Sequence, residues 1–333
     1  MSDTPKKSPP AIHRRIEPGE AGERIDRWLA DRLGQSRSHA LALLDAGRVR
    51  LNDHTLRPSD KGVRLATGQL IEVWATELLP EPSDAPLTIA AEGEDWLIAD
   101  KPAGLPVHPL RPDQRDTLLN RVVHRRPEIV GVGEAGLKSG VVHRLDLPTS
   151  GLVLFALSDE RYHAARAAFA NHTADKRYFA LVHGHVTQPR RVELDLVVAQ
   201  HRPARVAVVP PGHAAKANAA AVRRCGLSYE PLEHGPACTL LDVHLETGFL
   251  HQIRATLAHL GHPILGDDTY NDTPTPYAAP SPDKTESTQA PPSPVSPRLM
   301  LHAHTLRVTN ATATTPLPDA LRKALDTPHP GRL

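Results

Sequence analysis

The chain is poor in the residues that advertise a specialised architecture. Two cysteines, Cys225 and Cys238, in 333 residues exclude a disulfide framework and suit a reducing compartment. They form no CxxC pair, so neither a zinc ribbon nor a redox couple is written here. Aromatic residues make up only 4%, which leaves Val, Leu, Ile and Ala to fill the core. No window approaches the ~20 consecutive apolar residues of a membrane span, and the opening "MSDTPKKSPPAIHRR" lacks the apolar run of a signal peptide. The expectation is a soluble, cytoplasmic protein. Charge of one sign is also missing: 39 basic against 38 acidic side chains give +1, so the chain as a whole does not announce a polyanionic partner.

Balance over the whole chain conceals an imbalance within it. From Arg24 to Arg64 nine basic residues face five acids, an excess of four positive charges. In the same stretch Ile25, Trp28, Leu29 and Leu33 recur at helical spacing and Gly34 ends the run. Ser36 or Ser38 can cap a second helix carrying Leu41 and Leu44 and ended by Gly47. Extended pieces at Arg48–Leu51 and Leu70–Trp74 flank an Asn52-Asp53 turn. The composition divides the chain into a disordered tail (1–15), a small basic module (16–75), a Pro- and acid-rich linker (76–87) and a larger domain (88–333). Residues 271–297, rich in Pro, Ser and Thr and nearly devoid of large apolar side chains, are expected to be a disordered insertion in that domain.

Two patterns mislead. "GVGEAG" at 131–136 matches the glycine spacing of a dinucleotide-binding turn, but no long helix follows, and a Gly-rich loop is the better reading. Twenty histidines include the close pairs His183/His185, His259/His262 and His302/His304. None has the i, i+4 helical spacing with an intervening Glu, so no metal and no cofactor is expected.

Four segments carry chemistry. In "GVVHRLDLPTSGLVLFAL" a single acid, Asp146, stands one turn before an uncharged β-rich run from Gly151 to Leu157. In "DKRYFALVHG", Lys176 and Tyr178 open a second strand. In "LETGFLHQIRATLAHLGHPILGDDTY", Thr247 is positioned to cap a helix that buries Ile253, Leu257 and Leu260 and stops at Gly261. His251 and Arg254 then share a flank of that helix, a guanidinium suited to pairing a carboxylate. "RLMLHAHTLRV" reads as a strand rejoining the sheet after the insertion.

Together with "ADKPAGLPVHP" upstream, these segments resemble the RNA pseudouridine synthases of the Rlu type, which act on large-subunit ribosomal RNA and some tRNAs. The basic module, through "SRS" and "GRVRLN", resembles the ribosomal-protein-S-four-like (alpha-L) RNA-binding domain. The resemblance implies an α+β fold: a catalytic domain with a mixed, mostly antiparallel sheet and flanking helices, preceded by the small alpha-L domain. It implies that Asp146 is the catalytic residue, Arg254 its ionic partner and Tyr178 the ring packed on the target base. Arg144 would enter the RNA stack, with His143, Lys176, His251 and Gln252 lining the RNA-binding cleft. Arg27, Arg37, Arg48 and Arg50 would meet phosphates on the basic module. The implied reaction is an isomerisation of uridine to pseudouridine, with RNA as the partner, ribosomal RNA first and tRNA second, and a monomer as the default.

The chain departs from that family pattern at two places. Leu147-Pro148 replaces a charged pair after "HRLD", and Phe249-Leu250 replaces an Arg and a small hydroxyl residue in "TGFLHQIR". A binding or ribosome-assembly factor with weak catalysis is therefore a second reading. A glycoside or nucleoside hydrolase using Asp146 is a third, and it would require a partnered second carboxylate.

Overall fold

The computed structural model describes residues 10–33, 37–74, 79–111, 113–134, 136–201, 203–210, 221–271 and 298–327. The expected stop at Gly34, the Ser36 cap and nearly all of the 271–297 insertion lie outside these residues, as do parts of the tail and linker and the Ser38 side chain. The chain divides into two compact units, residues 1–86 with 108–141 and residues 87–107 with 142–333.

In the first unit, strands β1 (Ile12–Arg15), β2 (Val49–Leu51), β3 (His54–Thr55) and β4 (Leu70–Val73) form an antiparallel sheet in the order β1-β4-β2-β3. Helices α1 (Ile25–Leu33) and α2 (Arg37–Asp45) pack beside it. Their apolar stripes meet the sheet in one core that includes Ile25, Trp28, Leu29, Leu43, Leu44, Val49, Ile71 and Val73, all nearly inaccessible. Asn52 and Asp53 both take positive φ (49° and 64°) at the β2–β3 turn, the conformation a two-residue hairpin demands and Asn and Asp tolerate. The same unit holds α3 (Leu118–Arg125), whose first turn Thr117 caps by accepting from the Asn120 N–H.

The second unit is built on a ten-stranded sheet. Its strands are β5 (Thr88–Glu92), β6 (Trp96–Lys101), β7 (Ser150–Ala156), β8 (Asp175–His183), β9 (Arg190–His201), β10 (Ala204–Val209), β11 (Arg223–His234), β12 (Cys238–Leu245), β13 (Leu301–Val308) and β14 (Ala311–Thr314). They run in the order β10-β9-β11-β12-β8-β13-β7-β6-β5, with β14 on β13. Every pairing is antiparallel except β13 with β7. Helices α4 (Asp159–Ala170), α5 (Gln252–His259) and α6 (Asp319–Asp326) accompany it. This is the mixed, mostly antiparallel sheet with helices that the resemblance implied.

The parallel junction explains a motif. Gly151 pairs with Ala303 at φ 117°, and a Cβ there would lie 2.3 Å from the Ala303 carbonyl oxygen. Only glycine lets β13 approach β7 this closely. All seven residues of β7 are buried, which is why its sequence is an unbroken apolar run rather than an alternation.

One expectation is corrected. The helix after "LETG" begins at Gln252, five residues beyond Thr247, and His251 occupies its N-cap at φ 50°. Thr247 instead donates its hydroxyl to Gln252 Oε1 (2.8 Å), and the same oxygen accepts from the Phe249 N–H (3.0 Å). Residues 247–251 are thus a turn pinned to the helix by Gln252, not its first turn. No helix among the described residues is long and apolar enough to cross a membrane.

Candidate active site

Asp146 sits in the loop before β7, where its carbonyl accepts from the Thr149 N–H (3.1 Å). Its neighbour's carbonyl, that of Leu147, is held twice, by Lys101 Nζ (3.2 Å) and the Gly104 N–H (2.8 Å). Lys101, at 0% exposure, also donates to the carbonyls of Pro102 and Leu105. Its three protons therefore tie together the loop after β6 and the loop carrying Asp146. Burial pushes the Lys101 ammonium down to about 8, and the negative charges of Asp146 and Asp100 work against that fall.

The carboxylate of Asp146 meets α5. Arg254 Nη1 lies 3.5 Å and His251 Nε2 3.8 Å from Asp146 Oδ2, so the i, i+3 flank expected of that helix is the one that faces the acid. Arg254 is itself fixed from behind. Asp267, wholly inaccessible, takes Nε at Oδ2 and Nη2 at Oδ1, both at 2.8 Å, and Thr269 Oγ1 accepts a further bond from Nη2 at 2.9 Å. Asp267 Oδ1 also accepts the N–H groups of Thr269 and Tyr270. Burial disfavours the guanidinium charge, but hydrogen bonding to Asp267 and the charges of Asp267 and Asp146 outweigh it and raise the Arg254 pKa. Asp267 is the residue that reading the sequence missed. Its one signal was the "GDDTY" at the end of the third segment.

His251 is T-stacked on Tyr270, whose hydroxyl lies 3.1 Å from its Nδ1. Burial lowers its pKa against the pull of Asp146. Tyr178, on β8, lines the same cavity. Burial raises the pKa of its phenol, and the negative charge of Asp146 adds to the rise, so the hydroxyl stays protonated.

The cavity holds about 440 Å³ and is lined by Asp146, Tyr178, Arg254, His143, Arg144, Lys176, His251 and Gln252, with Arg166, His172, Phe249 and Leu250 among others. Asp146 is its only carboxylate among the described residues, which removes the paired acids a glycoside hydrolase would use. Several predicted RNA contacts also have hydrogen bonds within the protein. His143 Nε2 accepts the Leu154 N–H (2.9 Å), and burial, with the nearby charges of Lys176 and Arg166, holds its pKa down to about 3. Gln252 has both ends of its amide bonded within the protein, Nε2 donating to the Gly226 carbonyl (2.9 Å). Lys176 is buried, donates to the Thr247 carbonyl (3.0 Å) and is pushed by burial to about 8. Arg144 is exposed at the rim.

Phe249 and Leu250 pack against an apolar cluster of Leu196, Val206, Val208, Cys225, Ala255 and Tyr270. The apolar pair therefore continues the sheet's own core and leaves the Asp146–Arg254 contact intact. On the first unit, Arg37 pairs with the buried Asp26, and Arg50 approaches Glu72 (3.7 Å) and Asp53 (3.9 Å). Arg27 is exposed and Arg48 half-buried, and neither has a carboxylate partner among the described residues. The His302/His304 pair has protein partners: His304 contacts Asp242 (3.1 Å) and stacks on Phe179, and His302 joins Ser150 Oγ to Thr315 Oγ1.

The α+β fold thus presents one carboxylate, one buried guanidinium and one buried tyrosine to a single cavity. Residues 95–259 match the family model described as RNA pseudouridylate synthase. The chain is 37% identical over 267 residues to an uncharacterized RNA pseudouridine synthase of Mycobacterium bovis, covering 78% of this chain and 82% of that protein. It is 34% identical over 254 residues to the ribosomal large subunit pseudouridine synthase D of Pseudomonas aeruginosa, covering 75% and 74%. In fold it is similar to human RNA pseudouridylate synthase domain containing 1, at TM-score 0.53 and 22% identity, covering 73% of this chain and 88% of that one. The chain belongs to the RNA pseudouridine synthase family of the Rlu type and is an isomerase acting on RNA.

Proposed function

We propose that this enzyme converts uridine to pseudouridine in structured RNA, large-subunit ribosomal RNA first and tRNA second, with Asp146 as its catalytic residue. The observation that carries the reading is the Asp146–Arg254 contact of 3.5 Å at the cavity mouth, with Arg254 locked from behind by Asp267. A guanidinium at that place pairs the carboxylate and orients it in the cavity.

The reaction is balanced without an oxidant or reductant. The N1–C1′ bond of the target uridine breaks and its electron pair leaves with the uracil. The base turns, carbon 5 bonds to C1′, the proton on carbon 5 departs, and N1 gains a proton. Asp146 assists the detachment, by attack on sugar or base or by stabilising the intermediate. Tyr178 offers a flat, neutral, protonated ring for the base to rest on, and the cavity walls hold the detached base for recombination. Extruding the nucleotide costs a few kcal/mol, so looped or weakly paired sites are favoured.

The ribosomal target is supported by the names of relatives such as the Pseudomonas aeruginosa synthase. The basic module of residues 16–75 is proposed to be an alpha-L-type RNA-binding domain, with Arg27 and Arg48 among the cations that have no carboxylate partner among the described residues, and the protein working as a cytoplasmic monomer. Pseudouridine mapping on total RNA from cells with and without the gene, with add-back of wild type and Asp146→Asn, tests the proposal. A site that vanishes on deletion and returns only with wild type is the expected result. A site restored by Asp146→Asn would remove Asp146 from catalysis.

A further inference from the structure

Several arginines of the second unit are neutralised by carboxylates within the protein. Arg161 pairs with Asp95, Arg177 with Asp242, Arg191 with Glu246, Arg307 with Asp175 and Arg322 with Glu233. The cavity breaks this habit. Arg144, Arg166 and Lys176 all line it, and none has a carboxylate partner among the described residues, while the one acid present, Asp146, is taken by Arg254.

These unpaired charges are unevenly distributed by element. The turn 248–250 contributes Gly248, Phe249 and Leu250, which carry no charge. Helix α4 and the turn after it contribute Arg166 and His172, and the segment before Asp146 contributes Arg144. Arg166 is exposed on α4, yet its guanidinium is anchored: Nη1 donates to the Val142 carbonyl at 2.9 Å. Among the described residues the rest of this planar fork has no protein acceptor, and Arg166 lines the cavity. A fixed guanidinium with unused donors suits a phosphate, and anchoring lowers the entropy cost of binding one. Lys176 adds a buried cation to the same cavity and orders no anion of its own.

We infer that Arg166, supported by Arg144 and Lys176, forms an anion site that holds a backbone phosphodiester of the RNA strand flanking the target uridine. The inference rests on reading the Asp146 cavity as the uridine site. It moves the phosphate-binding charge of this enzyme to the α4 wall, away from the apolar 248–250 wall. Arg166 touches neither Asp146 nor Arg254, so it contributes to substrate capture and not to the chemical step.

The test has two arms. In the first, binding of a fluorescent oligouridylate is followed by anisotropy across a salt series. Loss of one phosphate contact lowers the slope of log affinity against log salt by about 0.7 for a single strand, and Arg166→Gln is expected to show that drop. Arg166→Lys, which keeps the charge and loses the fork, is expected to retain the wild-type slope with weaker affinity. Arg224→Gln, on β11 and paired with Glu193 and Asp195 of β9 at the exposed surface, is expected to change neither. In the second arm, tritium release from RNA labelled at uridine carbon 5, isolated from cells lacking the gene, reads turnover. Arg166→Gln is expected to raise the apparent KM about tenfold and to leave kcat within about twofold. An unchanged salt slope with a fallen kcat would show that Arg166 acts only through Val142, and would overturn the inference. A wild type that shows the slope change against Arg166→Gln but releases no tritium would refute the uridine site and leave the anion site standing.

Discussion

Replacing Asp267 with Asn tests whether the site is built from behind. The substitution preserves shape. Asp267 Oδ1 accepts three bonds, from Arg254 Nη2, Thr269 N and Tyr270 N, and Oδ2 accepts one, from Arg254 Nε. An asparagine oriented to keep the first three turns its NH2 against Arg254 Nε, donor facing donor. The guanidinium, 4% exposed, then retains only Asp146 at 3.5 Å and the exposed Asp268 at 3.7 Å as charged partners. Removing one partner of a buried pair costs on the order of 3–5 kcal/mol, and the surviving Asp146 contact puts the expected loss near the lower end. Urea unfolding should record that loss.

Activity should fall further than stability accounts for. Without Asp267, Arg254 is drawn toward Asp146 and tilts the carboxylate. A displacement of ~1 Å at a reacting group costs about 100-fold in rate. Tritium release by the folded fraction should therefore show kcat reduced about 100-fold with KM little changed. The double replacement Arg254→Met with Asp267→Leu separates packing from chemistry, since an apolar pair of similar volume restores stability and leaves no activity. Asp267→Asn with wild-type kcat, whatever its stability, would refute the positioning argument.

Two further outcomes follow from the geometry. Gly151→Ala should destabilise the protein by about 3 kcal/mol or more in urea unfolding, because the added Cβ meets the Ala303 carbonyl oxygen at 2.3 Å at a positive φ. Retained stability would mean that β7 and β13 separate at little cost. The second concerns Lys176, whose pKa burial lowers from 10.5 to about 8. Between those values the unfolded chain holds a proton that the folded chain has released, so the lysine's burial penalty is complete below pH 8 and is relieved as pH rises toward 10.5. Wild type should accordingly gain stability relative to Lys176→Met between pH 7.5 and pH 10, by urea midpoint. A difference independent of pH would place the ammonium in water.

Much of this architecture could be read from the chain because local and long-range demands agree. The stripe Ile25, Trp28, Leu29 and Leu33 makes a helix wherever it finds an apolar sheet to cover, and here that sheet carries Val49, Ile71 and Val73. The unbroken run of β7 reads as a fully buried strand and is one. The pairing of Asp146 with Arg254 was also legible, through the i, i+3 placement of His251 and Arg254 and the resemblance that joined two segments 108 positions apart. What sequence could not reveal was where hydrogen bonds end. Gln252 and His143 look like polar groups for a ligand until the Phe249 and Leu154 amides are seen to need them. Lys101 is a lysine and nonetheless inaccessible, because three carbonyls from two loops converge on it. Thr247 fails as a helix cap because Gln252 claims its hydroxyl.

The same distinction explains how the chain tolerates Phe249 and Leu250 beside its acid. A charged site requires its cation to be held, but the holding need not come from every side. Asp267 and Thr269 hold Arg254 from the segment that follows α5, and Lys176 and Gln252 hold the turn before the helix through its backbone and Thr247. Side chains 249 and 250 are then released from any electrostatic duty. Packed on Leu196, Val208 and Tyr270, they add apolar burial at ~25 cal/mol per Å² and line the cavity that also holds Arg254 and Asp146 with side chains that offer water no hydrogen bond. Excluding water strengthens the attraction between Arg254 and Asp146. The apolar wall thus reinforces the ion pair whose cavity it lines, while Asp267 and Thr269 do the holding.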